Sequence, residues 1–229
     1  FAWIKICLFC TMNIGIKDVL YKIRWFFIPY LVVLTACLLI KLNYSREEIF
    51  FAVNSHNFAF GDIIAPYLTD LGNGWTTIAL AATLLLFNYA RAFIMAVVYA
   101  ITSITAQIIK HIFDAPRPKL YFKDQLSQIH FVKGVDILSL HSFPSGHTVT
   151  AFSTTLLITY WCRNKGWGLP LLLLAMMVGY SRMYLSEHFF EDVTAGSTIG
   201  VVITICLITL LMNVKFLQSA GWNRGLLKK

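Results

Sequence analysis

Apolar runs of near-spanning length recur along the chain at residues 25–42, 75–89 with its flanks, 92–113, 144–162, 166–184 and 192–213. Roughly 20 apolar residues carry a helix across the hydrocarbon of a bilayer. The pattern therefore predicts an all-α protein, a six-transmembrane helix bundle with a small extracytoplasmic loop and helical cap. The second and third runs are separated only by Tyr89-Ala90-Arg91, which predicts a tight helical hairpin there. Trp25, Trp75, Trp161 and Trp167 fall near run ends, where amphipathic rings favour the headgroup layer. Residues 1–16 are apolar but too short to cross, and are expected to form an interfacial helix. They lack a clear small-residue cleavage site for a signal peptide. One integral membrane domain is expected over 1–229, with its chemistry between 110 and 192.

Composition agrees: 58% of residues are hydrophobic and 13% charged, against about 45–50% and about 25% in soluble domains. The net charge of +8 raises nucleic acid as a partner, but no dense basic run interleaved with aromatics is present, so none is expected. Parity of the six runs puts Lys5, Lys17, Lys22, Arg24, Arg91, Arg163, Lys165, Lys215, Arg224, Lys228 and Lys229 on one face with a single acid, Asp18. The other face carries 8 basic and 10 acidic residues. The positive-inside rule makes the first face cytoplasmic and the second periplasmic or extracytoplasmic. Of the five cysteines, Cys37 and Cys206 fall inside apolar runs and Cys162 ends one. Cys7 and Cys10 form a C-x-x-C without a second pair, so neither a disulfide nor a zinc site is expected.

The longer connections, 43–74 and 114–143, lie on the outer face. The first is expected to hold a short amphipathic helix. The second, interrupted by Pro116 and Pro118, carries Tyr121, Phe122 and Phe131, which are expected to rest on the bilayer.

Three stretches converge at the outer ends of their helices: Lys110 with Arg117-Pro118, Pro144-Ser145-Gly146-His147, and Ser181-Arg182 with His188 and Asp192. Taken singly, Lys110, Arg117 or Arg182 would snorkel at a span end, Ser145 would merely cap a helix, and His188 would be an interfacial histidine. Drawn together at one depth, three cations and two histidines suit a small, highly charged anion, and phosphate matches the arginine fork. Pro144 has the φ of a helix's first turn, Ser145 or Ser142 is expected to cap it, and Gly146 leaves free amides where an anion would approach. His188 and Asp192, four apart, can pair so that one ring nitrogen is fixed and the other faces the substrate. His147 would then protonate the leaving oxygen.

These motifs resemble those of the phosphatidic acid phosphatase type 2 superfamily, whose signature reads K-x6-RP, PSGH and SR-x5-H-x3-D. Every signature position is matched, in order, between Lys110 and Asp192. The resemblance implies a phosphatase that uses neither metal nor other cofactor. Lys110, Arg117, Arg182, Ser145 and the Gly146 amide would bind phosphate, His188 would be the nucleophile, His147 the general acid and Asp192 its orienting partner. It implies a phosphorylated lipid as substrate, such as undecaprenyl diphosphate, phosphatidylglycerol phosphate, phosphatidate or a lipid A phosphate, in a bacterial inner membrane with the site facing the periplasm. The superfamily's soluble acid phosphatases and haloperoxidases are set aside by the six apolar runs. A soluble sugar phosphate as substrate, or a membrane transporter with a buried charge cluster, are the competing readings. A transporter would show broken midplane helices and repeat symmetry, which the sequence lacks.

Overall fold

The computed structural model describes residues 14–227, and every regular element in them is helical. The expected interfacial helix at 1–16 falls almost entirely outside the described residues. α1 (Ile16–Lys22) leads into α2 (Arg24–Asn43), followed by α3 (Arg46–Asn54), α4 (Ala59–Asp70), α5 (Gly74–Leu85) and α6 (Tyr89–Phe113). α7 (Pro118–Tyr121) and a 3₁₀ turn (Lys123–Gln128) precede α8 (Gly146–Trp161), α9 (Gly168–Tyr184), α10 (Phe190–Leu211) and the short α11 (Lys215–Gln218).

By length and composition α2, α6 and α10 are long and apolar enough to cross a membrane, and the protein is integral to one. α5, α8 and α9 contain 12, 16 and 17 residues. At about 1.5 Å rise per residue each falls short of the roughly 30 Å hydrocarbon core. The hairpin expected at Tyr89-Ala90-Arg91 is made three residues earlier, at Leu86–Asn88. α5 ends at Leu85, and Asn88 accepts the Arg91 amide at 2.9 Å as the N-cap of α6. The apolar run misled because Tyr89–Arg91 is already helical, whereas a polar cap residue marks the true start.

α8 is the hub. It packs on α6, α9 and α10 and is buried all round, with Thr148, Thr150, Ser153, Thr154, Thr155 and Thr159 among its buried residues. Hydroxyls tolerate this place by bonding locally: Thr155 and Thr159 donate to the carbonyls of Ala151 and Thr155 at 2.7 and 2.8 Å. The face of α10 against α8 is a G-x-x-x-G pair. A Cβ at Gly196 would stand 2.8 Å from the Ser145 carbonyl oxygen, and one at Gly200 2.7 Å from that of Val149. The two backbones therefore touch, as small residues permit between membrane helices. α2, by contrast, leaves Ile28, Val32, Leu38, Leu39 and Leu42 exposed, a surface suited to lipid.

The two ends of the described residues gather at one pole. Asn213 bridges to Ile14 by two hydrogen bonds of 2.8 and 2.9 Å, and Arg224 and Trp222 accept the amides of Tyr89 and Ala90 beside the α5–α6 turn. The three motif stretches lie at the helix ends opposite that pole.

Candidate active site

The turn from α9 to α10 is tightly wound. Both the Glu187 and His188 amides donate to the Arg182 carbonyl, at 3.0 and 3.2 Å, and Ser186 takes the left-handed conformation at φ 57°. Asn54 of α3 donates to the Ser186 hydroxyl and to the His130 carbonyl, both at 2.9 Å, and so pins the turn from outside. α10 starts after His188. Its N-cap is Phe189, which has no capping oxygen, so the Asp192 carboxylate closes the turn by accepting the Phe189 amide at 2.8 Å. The same Asp192 oxygen accepts the Ser142 hydroxyl at 2.5 Å and lies 3.5 Å from His188 Nδ1. A carboxylate held by an amide and a hydroxyl cannot rotate away, and it faces one nitrogen of a ring that is 1% exposed.

The start of α8 departs from expectation in two ways. Pro144 lies outside the helix, after a cis Phe143–Pro144 bond, and Gly146 is the first helical residue. Neither Ser145 nor Ser142 caps it by side chain: Ser145 receives the Thr148 hydroxyl at 2.9 Å, and Ser142 is turned to Asp192. The Ser145 amide donates to the Asp192 carbonyl at 3.0 Å and Ser142 to the Asp192 carboxylate, so both serines are tied to the start of α10. Gly146 faces Lys110, whose Cε would lie 3.8 Å from a Cβ placed there. His147 follows in the first helical turn.

The three cations are all buried. Lys110, on the last turn of α6, donates to the His141 carbonyl at 2.7 Å. Arg117 donates from Nε to the Leu140 carbonyl at 3.0 Å, and its own amide bonds Ser139, zipping together the two ends of the 114–143 connection. Arg182 donates to Thr69 of α4 at 2.7 Å. The sequence reading did not anticipate Glu187, whose carboxylate pairs with Arg117 and lies 3.2 Å from Arg182. Its signal in the sequence is slight: an acid directly before His188, one of 11 in the chain.

Burial, and then the positive charges of Arg117, Arg182 and Lys110 and the neighbouring His147, hold His188 well below the usual imidazole range. The ring is therefore neutral at physiological pH, the form that carries a free lone pair. Among the described residues no three His, Cys, Asp or Glu side chains gather as a metal-binding group. Lys110, Arg117, Arg182, His147, His188, Ser145, Gly146 and Asp192 stand at the same end of α6, α8, α9 and α10.

Aromatic residues roof the turn. Phe122 is not on the bilayer surface as expected; it is buried with Phe50, Ile129 and Phe189, and Phe131 packs at the edge. The two helices α3 and α7 bring it inward, because burying a ring against other rings outweighs leaving it at the interface. Tyr121 stays partly exposed. Arg46 lies 4.6 Å over the Phe189 ring and pairs with Glu191.

An all-helical integral membrane protein with buried cations and imidazoles at one end of its central helices defines a class of phosphate-handling membrane proteins. A profile of the PAP2 superfamily matches residues 91–216. The chain belongs to that superfamily. It is 35% identical over 79 residues to the bacitracin transport permease protein BcrC of Bacillus licheniformis, covering 34% of this chain and only 38% of that one. It is 26% identical over 168 residues to the undecaprenyl-diphosphatase BcrC of Bacillus subtilis, covering 71% of this chain and 80% of that one. The crystal structure of Aquifex aeolicus LpxE superposes with a TM-score of 0.62 at 25% identity, covering 70% of this chain and 93% of that one.

Proposed function

We propose that this protein is a PAP2-type membrane lipid phosphatase, a hydrolase that cleaves a phosphoric ester or anhydride of a lipid through a phosphohistidine. The observation that carries the proposal is the Asp192 carboxylate, fixed by the Phe189 amide and Ser142, facing Nδ1 of the buried His188. With Nδ1 3.5 Å from both the Asp192 carboxylate and the Ser142 hydroxyl, the proton is placed on Nδ1 and the Nε2 lone pair is left free to attack phosphorus. Lys110, Arg117 and Arg182, with the Ser145 hydroxyl and the Gly146 amide, hold the phosphoryl oxygens. As the N–P bond forms, the bond from phosphorus to the leaving oxygen breaks, and His147, which takes up a proton opposite the negative charge of the bound phosphoryl group, gives that oxygen its proton. Water, deprotonated by His147, then takes phosphorus from His188 and restores the free enzyme. Cations stabilising charge on the equatorial oxygens are the largest catalytic contribution.

A lipid substrate is favoured over a soluble phosphate ester by an apolar groove of about 610 Å³ between α2, α6 and α10, lined by Leu34, Leu38, Ile109, Phe113, Phe143 and Phe190. Ile109 adjoins Lys110 in sequence and Phe143 adjoins Pro144, so a hydrocarbon tail in this groove would leave its head at the anion site. The diphosphatase name of a relative that aligns over most of both chains makes a polyprenyl diphosphate the first substrate to test. In this reading α5, α8 and α9, though shorter than the hydrocarbon core, complete six passes with α2, α6 and α10 by means of their flanking turns, α3, α4 and α7 cap the outer face, and the site opens outside the cytoplasm.

Phosphate release from purified lipid monophosphates and diphosphates in detergent, with chelator present, tests the proposal. Turnover that survives the chelator, is blocked by vanadate and disappears in folded His188→Ala protein is expected. A requirement for added divalent metal, or more than about one per cent residual activity in His188→Ala, defeats it.

A further inference from the structure

Glu187 is the one acid in the site that the proposed chemistry leaves unused, and it sits where that chemistry needs an anion. Its side chain is buried, 4% exposed, and its carboxylate is shared by Arg117 and Arg182. A guanidinium has five N–H donors in a fixed fork. Arg117 spends Nε on the Leu140 carbonyl and Nη1 on Glu187. Arg182 gives Nη1 to Thr69 and Nη2 to Glu187, while its Nε is buried without a partner among the described residues. Each arginine keeps free N–H groups, so a phosphoryl group that engages both arrives beside a carboxylate that already holds one nitrogen of each.

We propose that Glu187 is a specificity-determining residue: an internal carboxylate that holds Arg117 and Arg182 together and competes with the incoming phosphoryl group for them. This rests on the phosphatase reading of the site. The backbone around Glu187 is fixed, because its amide and that of His188 share the Arg182 carbonyl. Side-chain torsions alone must therefore move the carboxylate aside. Where it stays near, it repels the ligand, and the repulsion grows with the ligand's charge. Two unit charges about 4 Å apart at an effective dielectric constant of about 20 interact strongly enough to alter affinity well beyond tenfold. The native carboxylate thus favours singly charged over doubly charged tetrahedral anions. A carboxylate that served only to position the arginines would have the opposite signature, since its loss would weaken anion binding.

The test uses full-length Glu187→Gln protein in detergent, because glutamine keeps the size and still accepts from both arginines. Calorimetric binding of inorganic phosphate, tungstate and perrhenate is measured alongside vanadate inhibition and the KM and kcat for a lipid phosphate. Expected are vanadate and phosphate affinities at least about tenfold tighter than in the native protein, a lower KM, and a larger gain for the dianion tungstate than for the similarly shaped monoanion perrhenate. Unchanged or weaker binding in the folded variant overturns the proposal, as does an equal gain for both oxyanions or failure of either protein to bind phosphate. Anion binding is read without turnover. A chain that binds phosphate as expected but hydrolyses no lipid phosphate would defeat the phosphatase reading and leave this one standing.

Discussion

The Ser145 amide donates to the backbone carbonyl of Asp192 at 3.0 Å, so the start of α8 and the first turn of α10 are bonded to each other directly. One end of that link carries the hydroxyl assigned to phosphate, and the other carries the carboxylate assigned to the nucleophile. Small displacements of α10 are therefore felt on both sides of the reacting phosphorus.

Gly196→Ala tests this link. The added Cβ would lie 2.8 Å from the Ser145 carbonyl oxygen, a backbone atom that cannot swing aside. The helices must part, at a cost of about 1–3 kcal/mol for overpacking. A lower thermal midpoint and a fall in kcat exceeding the change in KM are expected. An alanine variant with native stability and turnover would show that α10 does not set the position of Ser145.

Asp192→Asn replaces the carboxylate by an amide of the same shape. An asparagine that offers its N–H₂ to Nδ1 would stabilise the wrong tautomer, and a loss in kcat of about 10³–10⁴-fold is expected by analogy with the aspartate of serine-protease triads. Ser142→Ala removes one restraint and leaves the charge, so a fall of roughly tenfold, one hydrogen bond's worth, is expected. Equal losses in the two variants would argue that Asp192 acts only as a helix-start bond to Phe189.

The pH dependence has a definite sign. In the proposed mechanism His188 attacks as the neutral ring, and its folded pKa lies well below the usual value of about 6.5. Lowering the pH through 6.5 therefore leaves the nucleophile unprotonated, and the acid limb of kcat/KM that belongs to His188 lies below that value. Arg117→Gln removes one of the positive neighbours and should move that limb upward while weakening phosphate binding. An acid limb at or above about 6.5 that is insensitive to Arg117 would contradict the burial and charge environment of His188.

Orientation is testable with thiol reagents. With Cys162, near Asn164, first replaced by serine, a cysteine introduced at Lys133 should react with a membrane-impermeant maleimide in intact cells or spheroplasts. A cysteine at Asn164 should react only after lysis. The reverse pattern would invert the topology drawn from 11 basic residues and a single acid on the opposite face.

Much of this was legible because charges inside an apolar chain are costly and therefore conspicuous. Lys110, Arg117, Arg182 and His188 stand out against their neighbours, and counting apolar runs puts them at one end of the bundle, where the structure also has them. Glu187 escaped notice because an acid beside a histidine reads as ordinary loop polarity. Only the fold brings Arg117, 70 positions away, against it. Phe122 was misjudged for the same reason: an aromatic in a polar connection resembles an interfacial anchor until α3 supplies Phe50 as its partner. The apolar pattern also could not separate α8, wrapped by other helices, from α2, which faces outward, since length and hydropathy are set by the bilayer only for a helix that meets it.

That difference bears on how the protein answers its membrane. α2 and α6 feel bilayer thickness directly and can tilt to match it, each ångström of mismatch costing a fraction of a kcal/mol. α8 touches protein on every side through Thr148–Leu157, so hydrophobic matching exerts no force on it. The groups proposed to react ride on this insulated axle and on the turn bonded to it. Thinner or thicker lipid should then change how readily a substrate tail slips between α2, α6 and α10, visible in KM, while the spacing of Ser145, His188 and Asp192, and with it kcat, stays the same.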